Sequence, residues 1–241
     1  MDSIINFRPL ANGLKTKDGT QIRENTILRS GEVTHASQRD IQTLTEYGVR
    51  YIYDFRSAEE VERIPPLPVS LFSTLHVNVL EEASPYAAGE VLRNPEKGIA
   101  LMIQMYSAMA GEAGRYKPAV EAILAQETEA FLYHCAAGKD RTGIFSAILM
   151  MALGFGFDAV KEEYLRIDAQ GMALLKARML GQSGLPENTP RLDFMFTVRE
   201  EYIDAYLGAL TETYGGADAY LREVLGMTEK SRQALRQKYL V

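Results

Sequence analysis

The feature that most constrains this chain is its segment 130–154, which reads AFLYHCAAGKDRTGIFSAILMMALG. Its first residues form a short apolar run, typical of a buried strand, and the residues from Thr142 onwards are typical of a buried helix. Between them lie the polar residues 134–143, HCAAGKDRTG. The segment therefore predicts a strand, a tight loop and a helix, with the polar residues at the carboxyl end of the strand.

Strand and helix patterns alternate through the first part of the chain. Ser37 with Asp40, and Ser57 with Glu60, form capping-box patterns that predict helix starts. Clusters of β-forming residues predict strands, and apolar and proline signals predict further helices. The predicted strands are 27–30, 49–55, 71–80 and 130–135, two further helices are 99–109 and 118–127, and 81–98 is a predicted loop.

Residues 157–241 carry helix patterns only. Asp158 and Thr228 are predicted N-caps, and Thr189-Pro190 is a strong pair for the cap and first position of a helix. Strands alternating with helices, followed by helices alone, predict one α/β domain over 1–241 with a helical C-terminal extension. An apolar stripe follows the Thr-Pro pair, at Met195, Phe196, Val198, Tyr202 and Ile203.

Composition narrows the functional class. The net charge of −6 opposes a predominantly basic nucleic-acid surface, so no nucleic-acid partner is expected. No apolar run reaches 18 residues, so no stable membrane insertion is expected either. The opening MDSIINFRPL lacks the basic and apolar regions of a Sec signal, and a single cysteine excludes an internal disulfide. We expect a cytoplasmic protein, and export without a signal peptide stays open as an alternative.

The single cysteine, Cys135, lies in surroundings that favour a thiolate, the reactive form of the side chain. Glycines in the loop allow backbone N–H groups to converge on one point. The helix that follows directs the positive end of its dipole at the loop. Lys139 and Arg141 add full positive charges nearby. Cys135 is therefore a candidate nucleophile.

The same features describe a phosphate site. N–H donors at a helix N-terminus bind phosphate, and Arg141 can add a planar, bidentate grip. A nucleophile inside such a cradle predicts phosphoryl transfer to Cys135 and a cysteinyl-phosphate that water then hydrolyses. Thr142 can donate to the sulfur and stabilise it as the leaving group. The residues predicted to hold the phosphate ion are Ala136, Ala137, Gly138, Lys139, Asp140 and Arg141.

The string H-C-x5-R-T resembles the cysteine-based phosphatase superfamily, and HCAAGKDRTG resembles more closely the atypical bacterial tyrosine phosphatases that also accept phosphoinositides. Weaker likeness covers most of the chain, through NFRPLANGLKTKDG, ILRSGEV, YIYDFRSAEEV and YGGADAYLREVLG. The family reads close to NFRDLGG where this chain has NFRPL, so Pro9 replaces an acidic residue and is expected to alter the loop near the site entrance. The resemblance implies a central, mainly parallel sheet with helices on both faces, and a helical lid that we place at 158–200.

Ester cleavage requires a proton donor unless the leaving oxygen departs easily. No aspartate occurs from Phe55 to Lys139, so the main candidates are Asp54, at the end of a predicted strand, and Asp140, in the loop. Atypical members of the family carry an aspartate at the position of Asp140, where it is associated with activity. We therefore favour Asp140 over Asp54.

Each choice has a competing interpretation. The cations that flank Asp140 stabilise its carboxylate form, which opposes an acid role and suits a carboxylate that orients Arg141. Asp54 could instead cap a loop or pair with Arg56. Weaker candidates for the proton donor are Glu81, Glu82 and Glu112.

Lys139 is the residue most informative about the substrate. Loops resembling GK-x-R occur in phosphoinositide phosphatases, where an extra cation can meet a second phosphate. The resemblance implies phosphotyrosine proteins as substrates, with phosphoserine, phosphothreonine and phosphoinositides as further candidates. Lys139 could alternatively raise the local potential or contact Asp54. Tyr51 and Tyr53 could line the pocket, although strand residues of this kind are expected in the core.

Rival interpretations of the loop fit less well. A Walker loop needs GxxxxGK[ST], and Tyr133 and Asp140 stand where glycine and Ser/Thr are required. Arsenate reductases generally need further cysteines, and rhodanese-like sulfurtransferases rarely carry H-C-x5-R-T. A phosphate-binding module without turnover usually lacks the cysteine or the arginine.

The three histidines match no spacing of metal ligands, so no metal or other cofactor is expected. His76 lies in a predicted strand and is expected to be a structural residue with a satisfied ring. His134 is expected to orient the loop through backbone hydrogen bonds, and a role as acid or base is the weaker alternative.

Overall fold

The computed structural model describes residues 1, 3–67, 70–79, 94–183 and 192–241. Strands within these ranges form one sheet with the order β1-β2-β5-β3-β4. The edge strand β1 is antiparallel to β2, and the other pairs are parallel. The predicted mainly parallel sheet is therefore confirmed. The strands are β1 (Arg8–Pro9), β2 (Ile27–Ser30), β3 (Val49–Asp54), β4 (Ser73–His76) and β5 (Ala130–His134).

Helices pack around this sheet and form the C-terminal part of the chain, as predicted for an α/β fold with a helical extension. A 3-10 turn, Ala113–Tyr116, separates α3 from α4. The helices of the described ranges are α1 (Gln38–Glu46), α2 (Ala58–Arg63), α3 (Pro95–Glu112), α4 (Lys117–Ala125), α5 (Asp140–Leu153), α6 (Phe157–Leu165), α7 (Ala169–Ser183), α8 (Asp193–Phe196), α9 (Glu200–Tyr214), α10 (Ala217–Glu223) and α11 (Glu229–Tyr239).

The two faces of the sheet are buried by different sets of helices. Successive residues of a strand point to opposite faces, so β5 contributes Leu132 to one face and Phe131 and Tyr133 to the other. Leu132 packs in a cluster with Leu44 of α1. Phe131 and Tyr133 pack in a larger cluster that includes residues of α3, α4, α5, α9, α10 and α11. Burial on both faces explains the continuous apolar run of β5.

The helix that follows the polar loop is buried on all sides. Every residue of α5 from Thr142 to Leu153 is buried, and α6, α10 and α11 pack against it. A helix enclosed in this way needs no polar face, which explains the apolar sequence. Gly154 ends α5 with a φ of 96°, the left-handed conformation that glycine adopts without strain. The helices that enclose α5 thus hold its N-terminus in place next to the loop.

Local signals located most helix starts correctly. Ser37 and Ser57 form the predicted capping boxes, and Thr228 caps α11. Asp158 is not a cap, because α6 begins after Gly156 and places Asp158 in its first turn. Asn94 caps α3, so this helix begins inside the predicted loop 81–98, of which residues 81–93 lie outside the described residues.

Other boundaries also differ from the prediction. The third predicted strand, 71–80, is shorter, since β4 covers only Ser73–His76. The apolar stripe expected along one helix is divided between α8 and α9, with Thr197 between them in an extended conformation. The predicted helix start at Thr189-Pro190 lies outside the described residues. Among the helices of the described ranges, none is both long and apolar enough to span a membrane.

Candidate active site

The polar loop lies at the carboxyl edge of the sheet, between two neighbouring strands. His134 at the end of β5 is in register with Ser30 of β2 and with Asp54 of β3. The backbone N–H of Phe55 donates to the His134 carbonyl at 2.8 Å, which extends the pairing beyond the strand end. Because β5 lies between β2 and β3, residues that follow three different strands meet at the loop.

Cys135 and Thr142 are in direct contact. The Thr142 hydroxyl donates to the Cys135 sulfur, with 3.1 Å between Oγ1 and Sγ. Cys135 is only 2 % exposed and lies just before the N-terminus of α5, which begins at Asp140. A hydroxyl donor and a helix N-terminus both favour negative charge on the sulfur. The structure thus brings together the predicted nucleophile and the predicted sulfur donor.

The carbonyl oxygens of the loop are hydrogen-bonded to the surrounding framework. The Ala136 carbonyl accepts from the backbone N–H of Glu32 at 3.0 Å, and the Ala137 carbonyl accepts from Asn6 Nδ2 at 2.7 Å. The Gly138 carbonyl accepts from a guanidinium nitrogen of Arg29 at 3.0 Å. In a trans peptide the N–H points opposite to the carbonyl, so the N–H groups of residues 137–139 point away from the framework. The loop can therefore present a set of donors to an anion.

Both the backbone conformation and the limited space at position 138 require a glycine. Its φ is 68°, in the left-handed region. A Cβ at this position would lie 2.4 Å from the backbone nitrogen of Gly31 and 2.5 Å from the carbonyl oxygen of Ser30. The loop thus packs directly against the backbone at the end of β2.

Arg141 is held by a carboxylate. Its Nη1 and Nη2 donate to the two oxygens of Glu60 at 2.5 and 2.9 Å, and Nη1 also donates to the Phe55 carbonyl at 3.2 Å. Burial lowers the pKa of Arg141, but the adjacent Cys135 and the Glu60 hydrogen bonds outweigh it, so the pKa lies above its ordinary value. Burial raises the pKa of Glu60, and its hydrogen bonds to Arg141 reverse the effect, so that the pKa is lowered. Both groups are therefore held in their charged forms.

These contacts leave one edge of the guanidinium for a ligand. Among the described residues, the contacts to Glu60 and Phe55 use three of the five N–H donors of Arg141. The two that remain, on Nε and Nη2, are parallel and match the spacing of two phosphate oxygens. Glu60 was predicted only as a capping residue, and its Oε2 indeed also accepts from the backbone N–H of Ser57 at 2.7 Å.

Lys139 is buried beneath the loop. Its side chain is 1 % exposed, and Nζ lies 2.8 Å from Asp140 Oδ1. Nζ also donates to the backbone carbonyl of Thr197 at 3.2 Å, in the connection between α8 and α9. The alternative contact with Asp54 is wrong, because Asp140 and Thr197 are the partners.

The Asp140 oxygen that contacts Lys139 also accepts a hydrogen bond. The Tyr106 hydroxyl of α3 donates to Asp140 Oδ1 at 2.6 Å, and the Tyr164 hydroxyl of α6 donates to Tyr106 at 2.8 Å. Burial, followed by the charge of Asp140, raises the pKa of Tyr106 well above its ordinary value, so this phenol remains protonated. The Asp140 side chain is 21 % exposed and is therefore open to solvent.

Asp54 lies in a different environment. It is fully buried, and both carboxylate oxygens accept from Arg56, with 2.7 Å between Oδ2 and Nη2. Burial raises the pKa of Asp54, but the hydrogen bonds from Arg56 outweigh that effect and the pKa is lowered. This arrangement matches the pairing with Arg56 that was the alternative to an acid role. Glu112 pairs with Arg115 on the surface, and Glu81 and Glu82 lie outside the described residues.

The histidines make backbone contacts. His134 Nδ1 lies 3.2 Å from the Cys135 carbonyl, and burial is the largest cause of the lowered pKa of His134. His76 Nε2 lies 2.8 Å from the Arg56 carbonyl. Tyr53 is buried in the core and Tyr51 is partly buried against it, as expected. Within the described residues, no group of three or more His, Cys, Asp or Glu side chains could hold a metal ion.

A buried ion cluster supports the loop from below. Glu163 of α6 accepts through Oε1 from Arg8 Nε at 3.0 Å and from Arg29 Nη1 at 3.2 Å. Glu163 is 1 % exposed and Arg29 is 2 % exposed. Burial, followed by the charge of Arg29, lowers the pKa of Arg8 to about 10. Arg8 thus lies in this cluster, and its neighbour Pro9 occupies the edge strand β1.

Several of these residues carried no signal of their role in the sequence. Glu60, Tyr106 and Glu163 belong to helices distant in sequence from the loop, and Asn6 has a φ of 53° that no motif marked. The one available signal was the position of Glu60, which follows soon after the end of β3 and so had to lie near the carboxyl edge of the sheet.

Comparisons with known proteins agree with this geometry. A protein of Cupriavidus necator named as a tyrosine-protein phosphatase is 30 % identical, over 93 % of this chain and 82 % of its own length. The triple specificity protein phosphatase PtpB of Mycobacterium tuberculosis is 27 % identical, over 90 % of each chain. A tyrosine-protein phosphatase of Nostoc commune is 25 % identical, over 90 % of this chain and 75 % of its own. The sequence model described as the tyrosine phosphatase family matches residues 1–241. The chain therefore belongs to the tyrosine phosphatase family and is a protein-tyrosine phosphatase.

Proposed function

We propose that this phosphatase hydrolyses phosphoric monoesters through a cysteinyl-phosphate on Cys135. The observation that carries the proposal is the Cys135 sulfur, which receives a hydrogen bond from Thr142 at the N-terminus of α5 inside a loop whose carbonyls are bonded outward. In the first step the thiolate attacks phosphorus and the bond from phosphorus to the ester oxygen breaks. In the second step water attacks phosphorus, the S–P bond breaks and the electron pair returns to sulfur.

The surrounding groups have complementary roles in these steps. The N–H groups of residues 137–139 and the remaining edge of Arg141 bind the phosphoryl oxygens and stabilise the charge that develops on them. Thr142 stabilises the thiolate when it leaves in the second step. His134 holds the loop through its contact with the Cys135 carbonyl.

We assign the proton donor to Asp140. Its carboxylate is partly exposed at the loop, so it can reach the ester oxygen of a bound substrate. Asp54 is buried and has both oxygens bonded to Arg56, and we propose that it fixes the β3–α2 connection. In the first step Asp140 gives its proton to the leaving oxygen, and in the second it accepts a proton from the attacking water.

Asp140→Asn should lower kcat/KM, which reports the first step, by about 10²-fold on an alkyl phosphate and far less on an aryl phosphate with a good leaving group. The alkyl alkoxide must be protonated as it departs, whereas the aryl oxide departs readily. Steady-state phosphate release from both esters measures the difference. Asp54→Asn is the matched variant. A leaving-group dependence seen in Asp54→Asn and not in Asp140→Asn would transfer the acid role to Asp54.

For the substrate, we propose phosphotyrosine proteins together with phosphoserine, phosphothreonine and phosphoinositides. Support comes from the Lys139 cation beside the loop and from the name of the mycobacterial relative, which denotes triple specificity. Lys139 is bonded to the Thr197 carbonyl in this structure. A second phosphate would have to replace that carbonyl, which is energetically possible because a charge-assisted bond to phosphate is the stronger one.

Lys139→Met should lower kcat/KM for a doubly phosphorylated phosphoinositide by about tenfold relative to phosphotyrosine, since one charge-assisted hydrogen bond is lost. A phosphate-release panel with phosphotyrosine, phosphoserine and phosphoinositides measures this. Lys161→Met, which removes a surface cation, is the control. Equal losses on all substrates would assign Lys139 only to the local potential, and no phosphoinositide cleavage by the wild type would remove the lipid part of the proposal. No turnover even of an aryl phosphate would favour a binding module.

We also propose that the chain is one domain with a helical lid. The lid is shorter than the range 158–200 that was expected from the sequence. The side chains of Val160 and Tyr164 in α6 are buried in the main apolar cluster, so this helix belongs to the body of the protein. The lid is better assigned to α7, which exposes Leu174, because Phe194 of α8 is also buried in that cluster. Met172 of α7 contacts Asn6, which donates to the loop, so this helix adjoins the loop. The cytoplasmic location stays a prediction from the sequence.

A further inference from the structure

The carboxylate of Asp140 is held asymmetrically. Tyr106 and Lys139 both contact Oδ1, at 2.6 and 2.8 Å. A carboxylic acid carries its proton on one oxygen, and an oxygen that accepts a hydrogen bond and also contacts an ammonium group is the poorer site for it. The contacts to Oδ1 therefore leave Oδ2 as the oxygen that carries a transferable proton.

The direction of the Tyr106 hydrogen bond is determined by a third group. The Tyr164 hydroxyl donates to the Tyr106 oxygen at 2.8 Å, so the Tyr106 proton is directed to Asp140. Tyr106 is fully buried in the middle of α3, where neighbouring rings of Tyr164 and Tyr202 pack against it. A hydroxyl with its acceptor position filled and its ring enclosed has one orientation available, and this makes it a rigid restraint on Asp140.

We infer that Tyr106 is a positioning residue for the reaction, which holds Asp140 Oδ1 so that Oδ2 faces the leaving oxygen. The inference rests on the proposed acid role of Asp140. Without the Tyr106 hydroxyl, the Asp140 carboxylate can rotate and exchange the positions of its two oxygens. Lys139 does not prevent this rotation, because its ammonium group can donate to either oxygen. Proton delivery would then need an extra ordering step, while phosphate binding in the loop would be unaffected.

Other titratable groups surround Asp140. Lys139 and Tyr106 contact Asp140 directly, and Arg141 follows it in the loop. Those within electrostatic reach of Asp140 also include Tyr116, Tyr164 and Tyr202. Removal of the Tyr106 hydroxyl takes one donor from Asp140 and leaves these other groups in place. An effect of Tyr106→Phe on kcat therefore reports the lost hydrogen bond.

Tyr106→Phe tests the inference, because it keeps the ring and removes only the hydroxyl. We expect kcat on an alkyl phosphate to fall about tenfold with little change in KM, whereas kcat/KM on an aryl phosphate should fall less than about threefold. Tyr206→Phe is the matched control, since Tyr206 is also fully buried and hydrogen-bonded to a tyrosine, Tyr220, at 2.9 Å. A structural role alone would give both variants the same loss of stability and would leave the leaving-group dependence of each variant unchanged.

Combination with Asp140→Asn separates failure of this inference from failure of the proposed acid. If Asp140→Asn lacks the leaving-group dependence, the acid assignment fails and the inference fails with it. If Asp140→Asn has it and Tyr106→Phe does not, only the inference is overturned. In the Asp140→Asn background Tyr106→Phe should have no further effect on alkyl kcat. If Tyr106→Phe does not fold, Tyr164→Phe can replace it, because this change removes the donor that orients the Tyr106 hydroxyl. We then expect a smaller fall in kcat on the alkyl phosphate. An unchanged alkyl kcat in Tyr164→Phe would overturn the inference.

Discussion

Cys135→Ser is expected to lower kcat on every phosphate ester by at least about 10⁴-fold, as removal of a catalytic nucleophile does in other hydrolases. A serine hydroxyl is far less acidic than a thiol, and the described side-chain hydrogen bond to Cys135 comes from Thr142, which is a donor and not a base. Phosphate release from an aryl phosphate measures the loss. Acid quenching of the wild type during turnover should trap a phosphoryl group on the peptide that contains Cys135.

The variant also provides an internal control. Serine leaves the loop carbonyl contacts and the Arg141–Glu60 pair in place, so inorganic phosphate should bind Cys135→Ser with an affinity close to that of the wild type in calorimetry. Retained turnover, or a trapped phosphoryl group on another residue, would be incompatible with the proposed mechanism. Lost phosphate binding would instead attribute the inactivity to damage of the loop.

Glu163→Gln is expected to lower the free energy of unfolding by about 3–5 kcal/mol, the range seen when one partner of a buried ion pair is removed. Glutamine has nearly the same size, so packing is kept. The two guanidinium groups of Arg8 and Arg29 would lose the carboxylate that both now contact. Urea unfolding monitored by circular dichroism, with comparison of midpoint and slope, measures the effect.

Glu162→Gln is the control for that experiment, since Glu162 precedes Glu163 on α6 and pairs with Arg166 on the surface. Exposed pairs of this kind contribute little, and its effect is expected to stay below about 1 kcal/mol. Equal stability of the two variants would contradict the view that the cluster of Arg8, Arg29 and Glu163 stabilises the fold.

The sequence predicts the strand, loop and helix that carry the proposed reacting centre, because these elements are local. The strand, the loop and α5 follow one another within residues 130–154, and the signals for each are apolar runs, glycines and one arginine at fixed spacing. Capping boxes at Ser37 and Ser57 located α1 and α2 for the same reason. Such signals depend on contacts between residues three to seven positions apart.

The supporting contacts could not be predicted, because they join distant parts of the chain. Glu60 and Arg141 are 81 residues apart, Tyr106 and Asp140 are 34 apart, and Arg29 and Glu163 are 134 apart. Helix packing decides such pairs, and no local pattern encodes it. Glu60 was also concealed by its second role, since the capping box already accounts for a glutamate at this position. The division of the apolar stripe between α8 and α9 was likewise not predicted from the sequence.

The charge balance of the loop has a consequence for how the enzyme distinguishes anions. Arg141 has Glu60 as its carboxylate partner and Lys139 has Asp140, both within 3 Å. The pair with Glu60 reduces the attraction that Arg141 exerts on anions at long range, so capture of a ligand depends on short-range fit. The donors of a curved loop and the edge of a fixed guanidinium match a tetrahedral group. Planar carboxylates and the acidic surfaces of other proteins carry the same charge without that shape and should compete poorly for the site.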